Sequence, residues 1–279
     1  AEEAHRPGSF ITFGGYEWTN WDFGHKHVLF KSPGDAPLYS ARHASTDTPD
    51  ELWAALRDSG EAHPALTLSH HPGGGPVATD WNHHDPEFER LVEITSVHGI
   101  SEELGGEGTI YSPVSSGMVR QALKRGYRMG LVGSGDTHNA HAGMGDPGAP
   151  VGGLAAILAT DTTREAVWEA LQARRVYATT GPRILIDFGW GGAPMGGSVP
   201  ARTGPLRGHG WALGSAEIAA LQVIRNGEIE AEVPGAGPMG SIQFTVPSPA
   251  PGDYVYLRVV QTDGQRAWSS PIWVDSPIR

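Results

Sequence analysis

Two spacings of apolar residues alternate along the first two thirds of the chain. Strand-like runs predict strands at residues 10–18, 28–31, 65–69, 91–96, 131–135 and 153–160. Helix-like spacing predicts helices at residues 48–60, 115–125 and 161–174. Thr48, Pro49 and Glu51 form a capping-box pattern at the start of the first helix, and Gly60 ends it. Strands that alternate with helices predict parallel βα units, in an open sheet or a barrel.

The pattern changes after Gly181-Pro182. Strand-like segments at residues 184–188, 219–225, 228–233, 241–246, 254–261 and 267–274 are separated by turn signals. Asn226-Gly227 is a strong hairpin turn, and Asp263-Gly264 is a second one. We therefore expect two domains: an α/β domain over residues 1–181 and a small antiparallel β-sandwich over residues 182–279.

Composition narrows the function classes. The 279 residues include 39 Gly and 22 Pro, which indicate many turns and short elements. A net charge of −11 opposes binding to nucleic acid and is compatible with divalent metals. No apolar run is long enough to span a membrane, and no signal peptide is visible at Ala1. The absence of Cys excludes thiolate chemistry and suits a bacterial protein that is either cytoplasmic or exported.

Histidine is concentrated in the first half, where 12 of the 13 residues precede residue 142. Residues 131–139 read LVGSGDTHN. This is the pattern of a buried strand that ends in glycines, with Asp136 and His138 at its C-terminal end. Residues two apart in an extended segment point the same way, so this carboxylate and this imidazole face a common point. The pair can ligate a metal, or it can belong to a surface turn, since Gly, Asp and Asn favour turns.

Other candidates lie near strand ends. Glu17 stands between aromatic residues in GGYEW, and His25 and His27 form a His-x-His pair just before a strand. His70 and His71 end the strand ALTLSHHP; because neighbours on a strand face opposite ways, at most one of them is expected to enter the site easily.

Three further residues complete the candidate set. Glu93 and His98 end the strand in LVEITSVHG, and each has a structural reading as good as the functional one. His141 follows Asp-x-His by three residues and is either a general acid or a loop residue. Candidates gathered at one end of a sheet are what a metal site on a βα scaffold requires.

With these residues in place, the chain resembles the PHP (polymerase and histidinol phosphatase) superfamily of metal-dependent hydrolases, in the branch that carries a β-sandwich after the barrel. The resemblance covers almost the whole chain, in the segments RPGSFITFGGYEWTN, GHKHVLF, TLSHHP, LVEITSVHGISE, ALKRGYRMGLVGSGDTHN, ALQARRVYATTGPRI and AWSSPIW. It implies a distorted (β/α)7 barrel, similar to a TIM barrel, that holds two or three divalent metal ions, usually Zn, Mn or Fe.

The resemblance also implies a ligand set. Glu17 matches the bridging glutamate of the family, His25 the histidine shortly after it, and His71 the histidine of the His-Pro motif. Asp136 and His138 match the last Asp-x-His, whereas His27 stands where relatives often carry Asn and is expected behind the ligands.

One departure from the family pattern is clear. The family begins with His-x-His on its first strand and has an Asp-His at the end of a later one, both well before the residue that Glu17 matches; neither precedes it here. The expectation is therefore a partial barrel whose first strands are missing. The chain would be either the C-terminal product of a cleaved precursor or a truncated variant.

The leading expectation is a metal-dependent hydrolase that acts on a small-molecule ester, with phosphate esters as the first substrate class. Asp136 would orient the attacking water, and His98 or His141 would protonate the leaving group. The same site could hydrolyse carboxylic esters, lactones or amides. The alternatives are a non-catalytic binding or assembly protein and the C-terminal part of a two-chain enzyme. Neither nucleic acid nor a membrane is an expected partner; an N-terminal chain of the same precursor or a second copy stays open.

Overall fold

The computed structural model describes residues 1–32, 34–138 and 152–276. The structure is 42% strand and 13% helix. Contacts between Cα atoms divide the chain into two compact units. The first comprises Ala1–Ile94, His98–Tyr127 and Ile157–Ala173, and the second comprises Thr95–Val97, Arg128–Ala156 and Arg174–Arg279. These units are made of several chain segments each, and the domain boundary expected near residue 182 stays a prediction.

The first unit is built on five strands that follow one another in the order β1-β2-β3-β4-β5. The strands are β1 (Gly14–Asn20), β2 (Gly24–Phe30), β3 (Ala65–His70), β4 (Glu89–Ser96) and β5 (Gly99–Ile100). Its helices are α1 (Pro49–Ser59), α2 (Val119–Lys124) and α3 (Arg164–Gln172). β1 and β2, and β2 and β3, pair antiparallel, whereas β3 and β4 pair parallel.

The predicted capping box is present at the N-terminus of helix α1. The Thr48 hydroxyl accepts the Glu51 N–H at 3.3 Å, and the Glu51 carboxylate accepts the Thr48 N–H at 3.1 Å. The buried face of α1 belongs to an apolar cluster with one face of the sheet; the cluster comprises Trp18, Val28, Phe30, Leu52, Trp53, Leu56, Ala65 and Phe88. Helix α3 is capped by Thr163 rather than by Asp161 or Thr162. The helix expected at residues 115–125 is a 3-10 turn followed by α2.

The (β/α)7 barrel is wrong, and so is its description as similar to a TIM barrel. The structure is mostly β, and the described residues contain three α-helices. A parallel pair needs a long crossover, but β1 and β2 are joined by the three residues Trp21, Asp22 and Phe23 and are therefore antiparallel. The fold class α/β fails for the same reason: turns and loops connect most of the strands that were expected to alternate with helices.

The second unit contains strands of a ten-stranded sheet and one further strand. The further strand is β6 (Gly130–Gly133), beside which Ser134 donates its N–H to the Thr95 carbonyl at 3.0 Å. The sheet order is β10-β9-β12-β14-β15-β8-β7, with β13 on β12, and β16 joining β11 and β14. The strands are β7 (Leu154–Ile157), β8 (Val176–Thr179), β9 (Leu185–Trp190), β10 (Ala193–Pro194), β11 (Ser198–Val199), β12 (Leu206–Arg225), β13 (Glu228–Val246), β14 (Tyr254–Gln261), β15 (Arg266–Ser269) and β16 (Ile272–Val274).

A long hairpin dominates this second sheet. Strands β12 and β13 are 20 and 19 residues long and meet at Asn226-Gly227, where both residues have positive φ (52° and 92°), as the predicted turn requires. β12 changes partner along its length: residues 208–213 pair with β9, and residues 218–225 pair with β14. In the gap the Gln261 side-chain oxygen accepts the N–H groups of Ser215 and Ala216 at 2.8 and 3.2 Å.

The core of the second unit is apolar. One cluster joins side chains of β9, β12, β13 and β14, including Phe188, Leu221, Val223 and Phe244. Trp190 belongs to it and is 1% exposed. Trp268 and Trp273 are buried as well, so all three tryptophans contribute to the packing of the interior.

Candidate metal centre

Strand register collects polar side chains on one face of the first sheet. Glu17 on β1 lies opposite His27 on β2, and His25 on β2 lies opposite His70 on β3. Because residues two apart share a face, these four side chains stand on the same face. These side chains are close together because antiparallel pairing puts the end of β1, the start of β2 and the end of β3 side by side.

Glu17 and His25 form the first contact of the cluster. The Glu17 carboxylate lies 2.7 Å from Nδ1 of His25, and this hydrogen bond lowers the pKa of Glu17 to about 2, against the raising effect of burial and with help from the charges of His70 and His27. His25 is buried, and within the described residues its Nε2 atom has no hydrogen-bond partner. A carboxylate on Nδ1 fixes an imidazole so that Nε2 can accept a metal.

His70 and His71 both join this cluster. Nδ1 of His70 lies 2.8 Å from the Glu93 carboxylate, which also accepts the His71 N–H at 3.0 Å. Ligand atoms of Glu17, His70 and His71 all lie within 4.8 Å of one another. The alternation argument allowed one histidine, but His71 follows the last residue of β3 and has a φ of +33°, so the strand rule no longer governs its direction.

A glycine loop holds His71 in place. Nδ1 of His71 lies 3.2 Å from the Gly74 carbonyl oxygen. A Cβ atom at Gly73 would lie 2.6 Å from the Met118 sulfur, and one at Gly74 would lie 2.8 Å from the Ser112 carbonyl oxygen. The Gly73-Gly74-Gly75 run, which the sequence analysis did not use, therefore lets the loop pack closely behind the histidine.

Imidazole rings pack against one another across the cluster. Ring centroids of His27 and His70 are 4.1 Å apart, and those of His25 and His71 are 4.9 Å apart. His98, the predicted proton donor, is half-buried with its ring 5.4 Å from that of His71. Glu17, His25, His71 and His98 are thus brought together, and their roles as ligands and acid stay predictions.

The other predicted residues belong to the second unit or lie outside the described residues. Asp136 and His138 are in the second unit, where Nδ1 of His138 lies 4.0 Å from a carboxylate oxygen of Asp136. The Asp136 side chain is 5% exposed and its φ is +52°, whereas the His138 side chain is 80% exposed. Their membership in the ligand set stays a prediction. His141 lies outside the described residues.

The opposite face of the same strands carries a buried ion pair that the sequence analysis missed. Nζ of Lys26 lies 2.7 Å from the Glu89 carboxylate, and both side chains are almost fully buried. The Ser69 hydroxyl donates to the same carboxylate at 2.7 Å, and Nδ1 of His84 lies 2.9 Å from its other oxygen. Burial raises the pKa of Glu89, but the Lys26 charge and the His84 hydrogen bond outweigh it and lower the pKa to about 2.

The donor set fits a divalent metal. Three imidazoles and one carboxylate are the ligand types that Zn, Mn and Fe accept in proteins. The buried, unpartnered Nε2 of His25 is a polar atom that a bound cation would satisfy. Glu17, His70 and His71 bring their ligand atoms together, and His25 lies beside His71, so these residues of the first unit could hold an ion.

Fold and site together define a β-rich protein with a histidine–carboxylate cluster on a mixed sheet. The chain belongs to a protein family of unknown function (DUF3604), whose model matches residues 1–106 and 146–199, more than half of the chain. The matched residues include Glu17, His25, His70 and His71.

Relatives of the chain occur in chlamydiae. An uncharacterized protein of Chlamydia trachomatis is 34% identical over 241 residues, which cover 77% of this chain and 39% of that protein. An uncharacterized protein of Chlamydia pneumoniae is 32% identical over 296 residues, covering 95% of this chain and 47% of the relative. The chain thus spans less than half the length of these relatives. No solved structure matches it.

None of the helices in the described residues has the length and apolar character needed to cross a membrane.

Proposed function

We propose that the protein is a metal-dependent hydrolase of ester bonds, with phosphate esters as its first substrate class. The observation that carries the proposal is the convergence of ligand atoms from Glu17, His70 and His71 within 4.8 Å, beside the unpartnered Nε2 of His25. Burying several imidazoles around an ionised carboxylate lowers the stability of the fold. A bound cation would compensate for this cost, which explains why such a cluster is retained.

A divalent ion at this centre would make a bound water acidic near neutral pH and neutralise charge on phosphoryl oxygens. The protein's own groups prepare the site. Glu17 is ionised at neutral pH because its pKa is about 2, so it supplies negative charge to the centre. The Glu93 carboxylate lies 2.8 Å from Nδ1 of His70 and fixes the orientation of that imidazole.

Proton transfer and the orientation of the attacking water are assigned to residues outside the ligand cluster. His98 is the proposed donor to the leaving group, since its half-buried ring lies next to that of His71. Asp136 is proposed to orient the attacking water, and His141 is the alternative proton donor. An identical arrangement would serve a carboxylic ester, a lactone or an amide, because the attacking water is the same.

Metal content and hydrolysis test the proposal directly. The purified chain is loaded with Mn or Zn, its metal content is measured by mass spectrometry, and p-nitrophenyl phosphate and acetate are supplied as substrates. We expect bound metal and metal-dependent release of nitrophenol. His70→Ala should lower metal affinity at least about a hundredfold, whereas His43→Ala, an exposed histidine outside the cluster, should change neither property.

Two outcomes would contradict the proposal. A wild-type chain that retains no metal would remove the centre itself. A chain that binds metal at these residues and hydrolyses neither ester, lactone nor amide would favour the binding or assembly role. Faster hydrolysis of the acetate than of the phosphate would move the substrate class to carboxylic esters.

A further inference from the structure

A β-bulge interrupts β4 close to the candidate metal centre. β4 runs parallel to β3, and its register against β3 moves by one residue between Glu89 and Leu91, which leaves Arg90 as the extra residue. The Arg90 N–H donates to the Phe88 carbonyl at 3.0 Å, a contact within its own segment of the chain. An extra residue in a strand turns the side chains beyond it to the other face of the sheet.

The bulge lets β4 supply a carboxylate to each face. Glu89 and Glu93 are four residues apart and would share a face in a regular strand. The Glu93 carboxylate instead lies on the face of the metal centre, 2.8 Å from Nδ1 of His70, and accepts the His71 N–H at 3.0 Å. The Glu89 carboxylate lies on the opposite face, 2.7 Å from Nζ of Lys26. Glu93 therefore reaches the histidines because the register of β4 is the bulged one.

A polar row on the opposite face joins three strands; it consists of Lys26 on β2, Ser69 on β3 and Glu89 on β4. Nζ of Lys26 donates to the Ser69 hydroxyl at 2.9 Å and to the Glu89 carboxylate at 2.7 Å, and the Ser69 hydroxyl donates to the same carboxylate at 2.7 Å. All three side chains are almost fully buried. A slip of any one strand would break these hydrogen bonds and leave a buried charge unpaired, which is costly. The polar row therefore opposes a change of register.

The register that the polar row fixes is also the register of the metal centre. His25 precedes Lys26 on β2, and His70 follows Ser69 on β3, so each strand carries one residue for each face. A slip of one residue exchanges the two faces of a strand. Such a slip would turn the imidazoles of β2 or β3 away from Glu17.

Apolar packing fixes the other half of these strands. On β2 and β3 the apolar cluster uses Val28, Phe30 and Ala65, which lie farther along the strands from the centre than Lys26 and Ser69. A buried ion pair can often be replaced by apolar side chains without loss of stability. Stability alone therefore does not account for a polar row at the end of the strands that carries the histidines.

We propose that Lys26 and Glu89 are positioning residues of the candidate metal centre. Their ion pair holds β2, β3 and β4 in the bulged register, so that His25 and His70 face Glu17. The inference rests on the proposed function, because it gives the pair a role at the same centre. Both residues act through the strands that carry them and do not contact the ion.

Metal affinity of folded variants tests this role in the full chain. Lys26→Met combined with Glu89→Leu replaces the pair by apolar groups and leaves neither charge unpaired. We expect its affinity for Mn, measured by calorimetry, to fall about tenfold, the lower end of the effect of residues that orient metal ligands. Ser69→Ala removes the middle of the polar row, keeps both charges and should lower the affinity by a smaller factor.

Two control variants separate positioning from stability. Leu56→Ala truncates a buried side chain of the apolar cluster on the same face, so it should destabilise the fold and leave the Mn affinity of the folded protein unchanged. Lys26→Arg keeps a cation in the polar row and should retain more affinity than the double variant.

Imidazole NMR of the metal-free chain reports the arrangement of the centre directly. In the wild type, Nδ1 of His70 should show the signal of a nitrogen hydrogen-bonded to a carboxylate, because Glu93 lies 2.8 Å from it. We expect this signal to shift in the double variant and to stay in place in Leu56→Ala. A loss of stability without a change of register would not move it.

Three results would overturn the positioning role. The first is a folded double variant with the Mn affinity and the His70 signal of the wild type. The second is an equal loss of affinity in Leu56→Ala, which would reduce the pair to general support of the fold. If the double variant does not fold, Ser69→Ala decides, and an unchanged affinity in that variant is the third.

Failure of this inference and failure of the hydrolase are distinguishable. A chain that binds Mn more weakly in the double variant but hydrolyses no ester would overturn the proposed function and keep the positioning role. A chain that hydrolyses p-nitrophenyl phosphate and binds Mn equally well with and without the pair would keep the hydrolase and overturn the positioning role.

Discussion

The two sheets of this protein bury different kinds of side chain. The first sheet buries ionisable groups on both faces, among them His25, Lys26, His70 and Glu89. The second sheet buries an apolar cluster that includes Leu221. Burying a polar group costs free energy unless it is hydrogen-bonded or paired, whereas burying an apolar one is favourable. The first sheet therefore retains features that stability alone would not select.

The two faces of the first sheet extend the comparison. On one face the histidines surround Glu17, and an imidazole nitrogen of His25 has no partner among the described residues. On the other face Lys26 and Glu89 satisfy each other, with Ser69 and His84 completing the hydrogen bonds. Under the proposed function, the first face would take a cation from outside, whereas the second face contains the Lys26 ammonium group.

Breaking the buried ion pair should give the largest effect on stability. Lys26→Met leaves the Glu89 carboxylate buried without its cation, so we expect the free energy of unfolding to fall by about 3–5 kcal/mol. Urea denaturation of the full chain measures this change in the free energy of unfolding. Lys124→Met removes an exposed lysine of α2 and should cost little.

The double variant Lys26→Met with Glu89→Leu sharpens this result. Replacing both charges by apolar groups should cost less than the single change, since no unpaired charge remains. A double variant less stable than Lys26→Met would mean that the pair contributes net stability, and the contrast between the two sheets would weaken.

Truncation in the second sheet should give a somewhat smaller loss and spare the metal centre. Leu221→Ala opens a cavity in the apolar cluster, for an expected cost of about 2–5 kcal/mol. Leu213→Ala, at an exposed position of the same strand, should cost much less. Metal affinity of the folded variants should match the wild type; a parallel loss of affinity would show that the apolar sheet supports the centre.

Acid should weaken the first sheet through Glu89. Its pKa in the fold is about 2, below the usual 4.5, so its contribution to stability is complete above pH 4.5 and is lost as the pH falls towards 2. We expect the free energy of unfolding to fall less steeply over this range in Glu89→Gln than in the wild type. Glu61→Gln, which removes an exposed carboxylate, should reproduce the wild-type slope. Parallel curves for Glu89→Gln and the wild type would contradict the assignment.

The smallest expected effect comes from the cap of α1. Thr48→Ala removes the hydroxyl that accepts the Glu51 N–H and should cost about 1 kcal/mol. Thermal denaturation detects this change, with Thr203→Ala at an exposed loop position as the control. If metal affinity is unchanged, α1 stabilises the sheet by apolar packing and does not contribute to metal binding.

Local signals in the sequence predicted several elements correctly. The capping box predicted α1, the Asn226-Gly227 pair predicted its hairpin, and residues 254–261 form β14 as expected. Each of these depends on residues close together in the chain. Strand direction does not, because it depends on partners far away, and the parallel barrel was therefore wrong.

The candidate site shows the same division. Glu17, His25 and His71 are recognisable as candidates because they flank strand-like segments, and the structure brings them together. His70 shares the strand face of His25 by register, and His71 joins the same cluster because its backbone departs from strand geometry, which no alternation pattern can indicate. The sequence did not indicate Lys26 and Glu89 because isolated charged residues are normally exposed. Their mutual burial depends on β2 and β4 lying on either side of β3, an arrangement that the sequence does not show.

Strand β12 has a consequence for the kinetics of folding. Its two halves pair with β9 and β14, so residues from 185 to 261 must assemble around one strand before the sheet is complete. Closing such distant contacts is slow, since chain entropy is lost before the contacts repay it. We expect this sheet to be the late and rate-limiting step of refolding, with the Gln261 side chain locking the junction once both halves have docked.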